Sequence, residues 1–246
     1  MPVFFIQSTQ IKDQTIQITG DLAHHLRDVL RCRKGEVIEL VDEQKTRYRV
    51  SLDQFDKRRV VAKILEKESS PEQPDLLITL VQAVLKGPKM DWVIQKATEL
   101  GANVILPVVT ERTIARPRKE RELHQRERWQ KIAIEAAQQC GRTDIADVKA
   151  SVSLDALCEK PPEADLKLVL WEAERERSLK SVLTDLPPYE SIALLVGPEG
   201  GFSPSEIEKV QKAGWTPVTL GRRILRAETA SLAILAILQY EMSERA

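Results

Sequence analysis

The hydrophobic pattern changes rhythm once along the chain. In residues 1–68 apolar and polar positions alternate over short stretches: Val3–Ile6, Thr15–Thr19, Glu36–Val41, Tyr48–Leu52 and Arg59–Leu65. A period of two puts every second side chain on one face, so each stretch predicts a half-buried strand. Asp21 stands where it would cap a short helix running to Arg31, with Gly35 as its stop. Several strands in so short a segment predict a small β-barrel module. Residues 69–75, Ser-Ser-Pro-Glu-Gln-Pro-Asp, have linker composition.

From residue 76 the alternation gives way to longer apolar runs separated by helical segments. Leu76–Leu85, Val104–Val109, Leu166–Trp171, Ile192–Val196 and Thr216–Leu220 predict strands, most of them covered on both faces. Pro88 opens a helix ending near Leu100, before Gly101, and a long charged helix runs from about Lys119 to Cys140, before Gly141. Ser203-Pro204-Ser205-Glu206 is a helix start: Ser203 caps, Pro204 takes the first helical position, and Glu206 completes a capping box. That helix stops at Ala213 with Gly214 behind it. The last helix, from Ala227, is apolar all round over Leu232–Leu238 and is expected to be buried, with a subunit interface as one natural cover. Strands alternating with helices predict an α/β domain over 76–246 with a mainly parallel sheet.

Composition narrows the function classes. At 246 residues and 42% hydrophobic, the chain can build a large core or two smaller ones. Its longest apolar run is far short of the roughly 20 residues of a membrane-spanning helix. The N-terminus carries no signal-peptide pattern. Three scattered cysteines, Cys32, Cys140 and Cys158, suit a reducing compartment, the cytoplasm, and suggest no metal site. They are expected to be buried. Net charge is zero, so nucleic-acid binding would need local basic patches. Such patches exist: eight basic residues stand against three acidic ones between Arg112 and Lys131.

Two glycine-containing loops leave the carboxyl ends of apolar strands: Gly197-Pro198-Glu199-Gly200-Gly201, and Gly221-Arg222-Arg223-Ile224-Leu225-Arg226. In open α/β sheets ligands bind at that edge. Glycines let a flat ligand approach the main chain closely. Neither loop carries a phosphate-binding fingerprint, and the helix after Gly201 is capped internally, so an adenine cofactor without a triphosphate fits better. Ile224 and Leu225 are placed to sandwich a base, and one of the three arginines to hold a phosphate or a carboxylate.

These segments carry a resemblance. Leu195-Val196-Gly197-Pro198-Glu199-Gly200-Gly201 and Leu220-Gly221-Arg222-Arg223-Ile224-Leu225-Arg226-Ala227-Glu228-Thr229-Ala230 resemble the paired signature of the SPOUT methyltransferases. More narrowly, the chain resembles the RsmE family of 16S ribosomal RNA uridine N3-methyltransferases, through Lys86–Met90, Gln95–Gly101 and Glu135–Arg142. His24-His25-Leu26 and Val29-Leu30-Arg31 look like that family's PUA-like RNA-binding domain. The resemblance implies a PUA-like β-barrel over 1–68 and a trefoil-knotted SPOUT domain over 76–246. It implies a homodimer acting on 16S ribosomal RNA of the small subunit. S-adenosylmethionine is expected against Leu195, Gly197, Glu199, Gly200, Gly201, Leu220, Gly221, Ile224, Leu225, Arg226 and Thr229.

Methylation at uracil N3 requires an unpaired base, removal of an imide proton and stabilisation of charge on the uracil oxygens. Arg226 is the candidate for the charge; the base stays open between Glu199 and Glu228. Other charged candidates are Lys86, Lys89, Glu99 and Arg142. RNA contacts are expected from His25, Arg31, Arg33, Lys34, Lys86, Lys89, Arg116, Arg118 and Arg142. A ribose 2′-O-methyltransferase, or a non-catalytic assembly factor that only binds the cofactor, are the competing readings.

Overall fold

A computed structural model describes residues 3–69, 76–116, 121–185 and 189–243. The chain divides into two compact units, Met1–Gln73 with Ala137–Ile145, and Pro74–Ala136 with Ala146–Ala246.

The first unit is built on β1 (Val3–Phe5), β2 (Ile11–Lys12), β3 (Thr15–Thr19), β4 (Val37–Val41), β5 (Thr46–Phe55) and β6 (Arg59–Ser69), with the helix α1 (Gly20–His24) between β3 and β4. The strand order is β1-β4-β5-β6-β3-β2, parallel between β1 and β4 and antiparallel elsewhere. Alternate positions such as Ile16, Ile18, Leu40, Val50, Leu52 and Val60 turn into one core with Ala23 and Leu26 of the helical segment. The period of two therefore produces the expected half-buried strands.

The helical segment differs from the expectation. Thr19 precedes α1 without a side-chain cap, and Asp21 lies inside the first turn. After His24 the coil widens into a π turn over His25–Val29. Arg31 ends it in the left-handed region at φ 54°, and the Cys32 N–H reaches back to the Leu26 carbonyl at 2.9 Å. Gly35 sits in the turn before β4 instead. An αL residue beside a returning N–H satisfies the end of a helix whichever residue supplies it.

The second unit contains β7 (Leu77–Ala83), α2 (Pro88–Glu99), β8 (Val104–Val109), α3 (Glu122–Cys140), β9 (Asp147–Val148), β10 (Val152–Ser153), α4 (Leu154–Glu159), β11 (Leu166–Leu170), α5 (Leu179–Asp185), β12 (Ser191–Val196), α6 (Pro204–Lys212), β13 (Thr216–Val218) and α7 (Ala227–Ser243). The strands run in the order β10-β8-β7-β12-β11-β13, with β9 also on β8, and every pairing is parallel. Each apolar run splits between two cores. Ile78, Leu80, Leu168, Ile192 and Leu194 face α2, α3, α5 and α7; Val81, Val169, Ala193 and Leu195 face α4 and α6. Covering both faces explains why these strands read as continuous apolar runs.

β13 stops at Val218, two residues short of the expected end, and Thr219 keeps only an isolated bridge to Ser178. α7 is not buried all round. Ile234, Leu235 and Leu238 are buried, whereas Ile237 and Tyr240 are 38% and 62% exposed. A helix on one side of a sheet buries only one stripe. Cys140 is exposed and Cys32 and Cys158 are half-buried, against the expectation of buried thiols. Among the described residues, no helix is long and apolar enough to cross a membrane.

Candidate active site

Because all strands of the second unit are parallel, the chain leaves β11, β12 and β13 at one edge. A cavity of about 500 Å³ opens there. Its floor is the apolar ends of the strands, Leu170, Val196 and Val218. Gly197–Phe202 forms one wall and Thr219–Arg226 another; Trp171, Glu172 and Arg175, after β11, close a third side. Lys89, Glu228 and Ala230, from the facing turns of α2 and α7, complete it.

The first loop is fixed at both ends. Gly201 lies at φ 66°, and its N–H donates to the Pro198 carbonyl at 2.9 Å. The capping box is formed as the sequence predicts: the Ser203 N–H donates to Glu206 Oε2 at 2.9 Å and the Glu206 N–H to Ser203 Oγ at 3.3 Å. Glu206 is 4% exposed, and its other oxygen accepts the Glu111 N–H at 2.7 Å. Ser203 Oγ donates to Glu111 at 2.9 Å, and Arg112 Nη1 to the Gly200 carbonyl at 2.8 Å. The segment after β8 thus staples the loop in place. Two backbone N–H groups on one buried carboxylate also leave the start of α6 little freedom to hold a phosphate.

The second loop is folded by Thr219. Its hydroxyl donates to the Gly221 carbonyl at 3.0 Å and accepts the Gly221 N–H at 3.2 Å. Gly221 sits at φ 123° with no atom within 4 Å of where a Cβ would stand, so the space a side chain would fill is open. Ile224 is 75% exposed at the mouth, and Leu225 is half-buried. The Arg226 carbonyl accepts the Ala230 N–H at 2.8 Å, placing Arg226 at the head of α7.

Charge concentrates on one wall. Lys89 Nζ stands 3.2 Å from Glu228 Oε1 and 3.6 Å from Glu199 Oε1. Glu199 Oε1 also accepts the Lys86 backbone N–H at 3.1 Å. Burial pushes the Glu228 carboxyl up, but its own backbone N–H, Lys89 and Arg226 outweigh that and hold it below the ordinary glutamate value.

Most residues expected at the site meet there: Gly197, Glu199, Gly200, Gly201, Leu220, Gly221, Ile224, Leu225, Arg226 and Glu228 all line the cavity. Leu195 does not. It points into the opposite core, because side chains alternate along β12 and Val196 takes the cavity face. Thr229 is exposed and lies outside the lining, where Ala230 takes its place. Lys89, expected as a charged site residue and as an RNA contact, is part of the charged wall.

Of the other residues expected to contact RNA, Arg31, Arg33, Lys34 and Lys86 are exposed. Lys34 pairs with Asp53 at 3.0 Å. His25 is exposed, its ring 6.2 Å from that of Phe4. Arg116 is exposed and turned toward the Thr113 and Glu111 carbonyls, and Arg142 is held by both oxygens of Asp144 at 3.0 and 2.9 Å. Arg118 lies outside the described residues. Sequence reasoning missed Trp171, Glu172, Arg175 and Arg112. The carboxyl end of the Leu166–Trp171 run was the signal for the first three; nothing local marks Arg112.

The parallel sheet with a pocket at its carboxyl edge is the architecture of an α/β ligand-binding domain, carried in one chain with a separate β unit. Residues 71–239 match the family model of an RNA methyltransferase domain, and residues 18–65 that of an RNA methyltransferase PUA domain. The chain is 30% identical over 98% of its length to the ribosomal RNA small subunit methyltransferase E of Bacillus subtilis, covering 97% of that protein. Its structure superposes with a TM-score of 0.86 on the ribosomal RNA small subunit methyltransferase E of Neisseria gonorrhoeae bound to S-adenosyl methionine. That pair is 35% identical and covers 98% of each chain. A putative methyltransferase of Legionella pneumophila in complex with the same cofactor gives 0.86 at 31% identity, with 97% of each chain covered. The chain belongs to the family of ribosomal RNA small subunit methyltransferases E.

Proposed function

We propose that this chain transfers a methyl group from S-adenosylmethionine to N3 of a uridine in 16S ribosomal RNA of the small subunit. The observation that carries the reading is the cavity where two glycine loops meet an apolar floor beside a Lys–Glu–Glu cluster and Arg226. Its size falls in the range of small-molecule sites, roughly 300–1,000 Å³. The open space beside Gly221 and the glycine loop Gly197–Gly201 suit a ribose and a flat base; Leu170, Val196, Val218 and Leu225 offer it an apolar bed. When bound, the cofactor supplies an electrophilic methyl group on a sulfonium.

The protein's own task is to bring an unpaired uracil edge-on to that methyl and to support its anion. N3 is engaged in a base pair within a duplex, so the target is single-stranded or flipped. Arg226 stabilises the charge that develops on the uracil oxygens. Exposed Arg31 and Arg33 in the first unit grip phosphates and set register, with no share in base choice. The enzyme acts in the cytoplasm, where ribosomal RNA is its partner.

A homodimer and a trefoil knot belong to the same proposal. Trp92 on α2 and Ile237 and Tyr240 on α7 are exposed apolar side chains on two helices that pack together, which supports a second copy as their cover. α7 starts after β13 at one end of the sheet and returns to pack on α2, and the knot is the path that the resemblance to the SPOUT signature implies for it. Sedimentation tests the dimer: Ile237→Glu is expected to run as a monomer, and a wild-type monomer at micromolar concentration would refute it.

The function is tested by incubating the protein with labelled S-adenosylmethionine and unmodified small subunits, then separating nucleosides by mass spectrometry. The expected product is 3-methyluridine. A 2′-O-methylated nucleoside, or cofactor binding without transfer, would overturn the reading.

A further inference from the structure

The two carboxylates of the charged wall are not equivalent. Glu228 is 14% exposed, and both of its oxygens face Lys89 Nζ, at 3.2 and 3.4 Å. It stands in the first turn of α7, where the helix end favours the ionised form, with Arg226 two residues before it. The side chain of Glu199, an exposed residue, is 26% accessible and lies farther from Lys89, at 3.6 Å. One of its oxygens accepts the Lys86 N–H; among the described residues, the other, Oε2, takes part in no hydrogen bond. Other charged groups lining the cavity are Glu172, Arg175 and Arg223, and Arg112 approaches the same loop at the Gly200 carbonyl.

Resting on the uracil-N3 reading above, we propose that Glu199 removes the imide proton through Oε2, while Glu228 and Lys89 form a fixed ion pair beside it. In this step the N3–H bond breaks and the Oε2–H bond forms. The electron pair stays on N3, spreads over the two uracil oxygens, and then forms the bond to the transferred methyl carbon, whose former bonding pair stays with sulfur. The proton passes from Glu199 to bulk water. Transfer from an imide to a carboxylate is uphill in water, so the step depends on cations that stabilise the uracil anion. Lys89 and Arg226 are the cations on that side of the cavity. A carboxylate already held by an ammonium and a helix end is a poor proton acceptor, which leaves Glu228 as the counter-ion that keeps Lys89 charged and in place.

The test uses the full-length protein and assembled small subunits in single turnover. Glu199→Gln keeps the shape and loses the acceptor. Its rate at saturating S-adenosylmethionine is expected to fall roughly 10²–10⁴-fold. Its residual rate should climb about tenfold per pH unit through neutrality, because only ionised uracil then reacts. At fixed pH, subunits assembled from 5-fluorouracil-containing RNA, whose imide is more acidic, should restore Glu199→Gln more than wild type. Glu228→Gln is expected to retain the wild-type shape of the pH profile. A Glu199→Gln rate equal to wild type, or a reduced rate with unchanged pH profile and no fluorouracil rescue, would overturn the assignment. Product analysis separates the two failures: a wild-type product other than 3-methyluridine removes the reaction itself, whatever Glu199→Gln does.

Discussion

Substituting Gly201 by alanine tests how the donor loop is held. Gly201 sits at φ 66°, a conformation that disfavours an L side chain by about 1–2 kcal/mol. A Cβ there would stand 2.3 Å from Glu172 Oε1 and 3.0 Å from its Cδ. Glu172 is exposed, so its carboxylate can swing aside, and the strain that remains is that of the backbone. If the loop relieves that strain by leaving the geometry that binds, cofactor affinity falls by the same free energy, roughly 5–30-fold. Gly200 is the control. Its φ is outside the left-handed region, and a Cβ would meet Arg112 Cβ at 3.3 Å and Cδ at 3.4 Å, needing only a small shift. Calorimetry with S-adenosylmethionine on Gly201→Ala and Gly200→Ala should therefore rank the first well below the second. Equal affinities for Gly201→Ala and wild type, or a larger loss at Gly200, would refute the reasoning.

Two further outcomes follow from the buried and paired carboxylates. Glu206→Ala leaves the Ser203 and Glu111 N–H groups without their acceptor, and a hydrogen bond to a charged group is worth about 1.5–3 kcal/mol. Urea unfolding should show a loss of at least that size; a loss under about half a kcal/mol, roughly what neutral surface changes give, would contradict the capping role. For Glu228, the folded pKa lies below the unfolded one, so its stabilising contribution is present above the carboxylate range and disappears as pH falls through the folded value. The urea midpoint of wild type should drop on acidification more than that of Glu228→Gln, and parallel drops would mean that the Lys89 pair contributes nothing.

Much of this protein is local and therefore legible in its sequence. The capping box at Ser203–Glu206, the proline starts and glycine stops of α2 and α6, and the period-two alternation of β3 act over a few residues. They give the same element in any surroundings. The apolar runs of β7, β11 and β12 likewise demand cover on both faces. The glycine loops announced themselves by sitting at the ends of such runs, and the paired signature named the family.

The tertiary structure decided what joins distant positions. Alternation fixes that Leu195 and Val196 face opposite ways, but only the packing of α6 and α7 on the sheet says which of them meets the cavity. An apolar helix reads as buried until the sheet shows that it covers one stripe, leaving Ile237 and Tyr240 outside. Local signals put Asp21 at the N-cap and Gly35 at the stop, yet Thr19 takes the cap position and Arg31, in the left-handed region, closes the far end. The charged wall is the clearest case. Lys89 and Glu228 are 139 residues apart, and Glu111 and Glu206 95 apart, and nothing at either end of those spans marks its partner. Their meeting comes from parallel strand order, which delivers distant loops to one edge, where charges pair by distance and not by sequence.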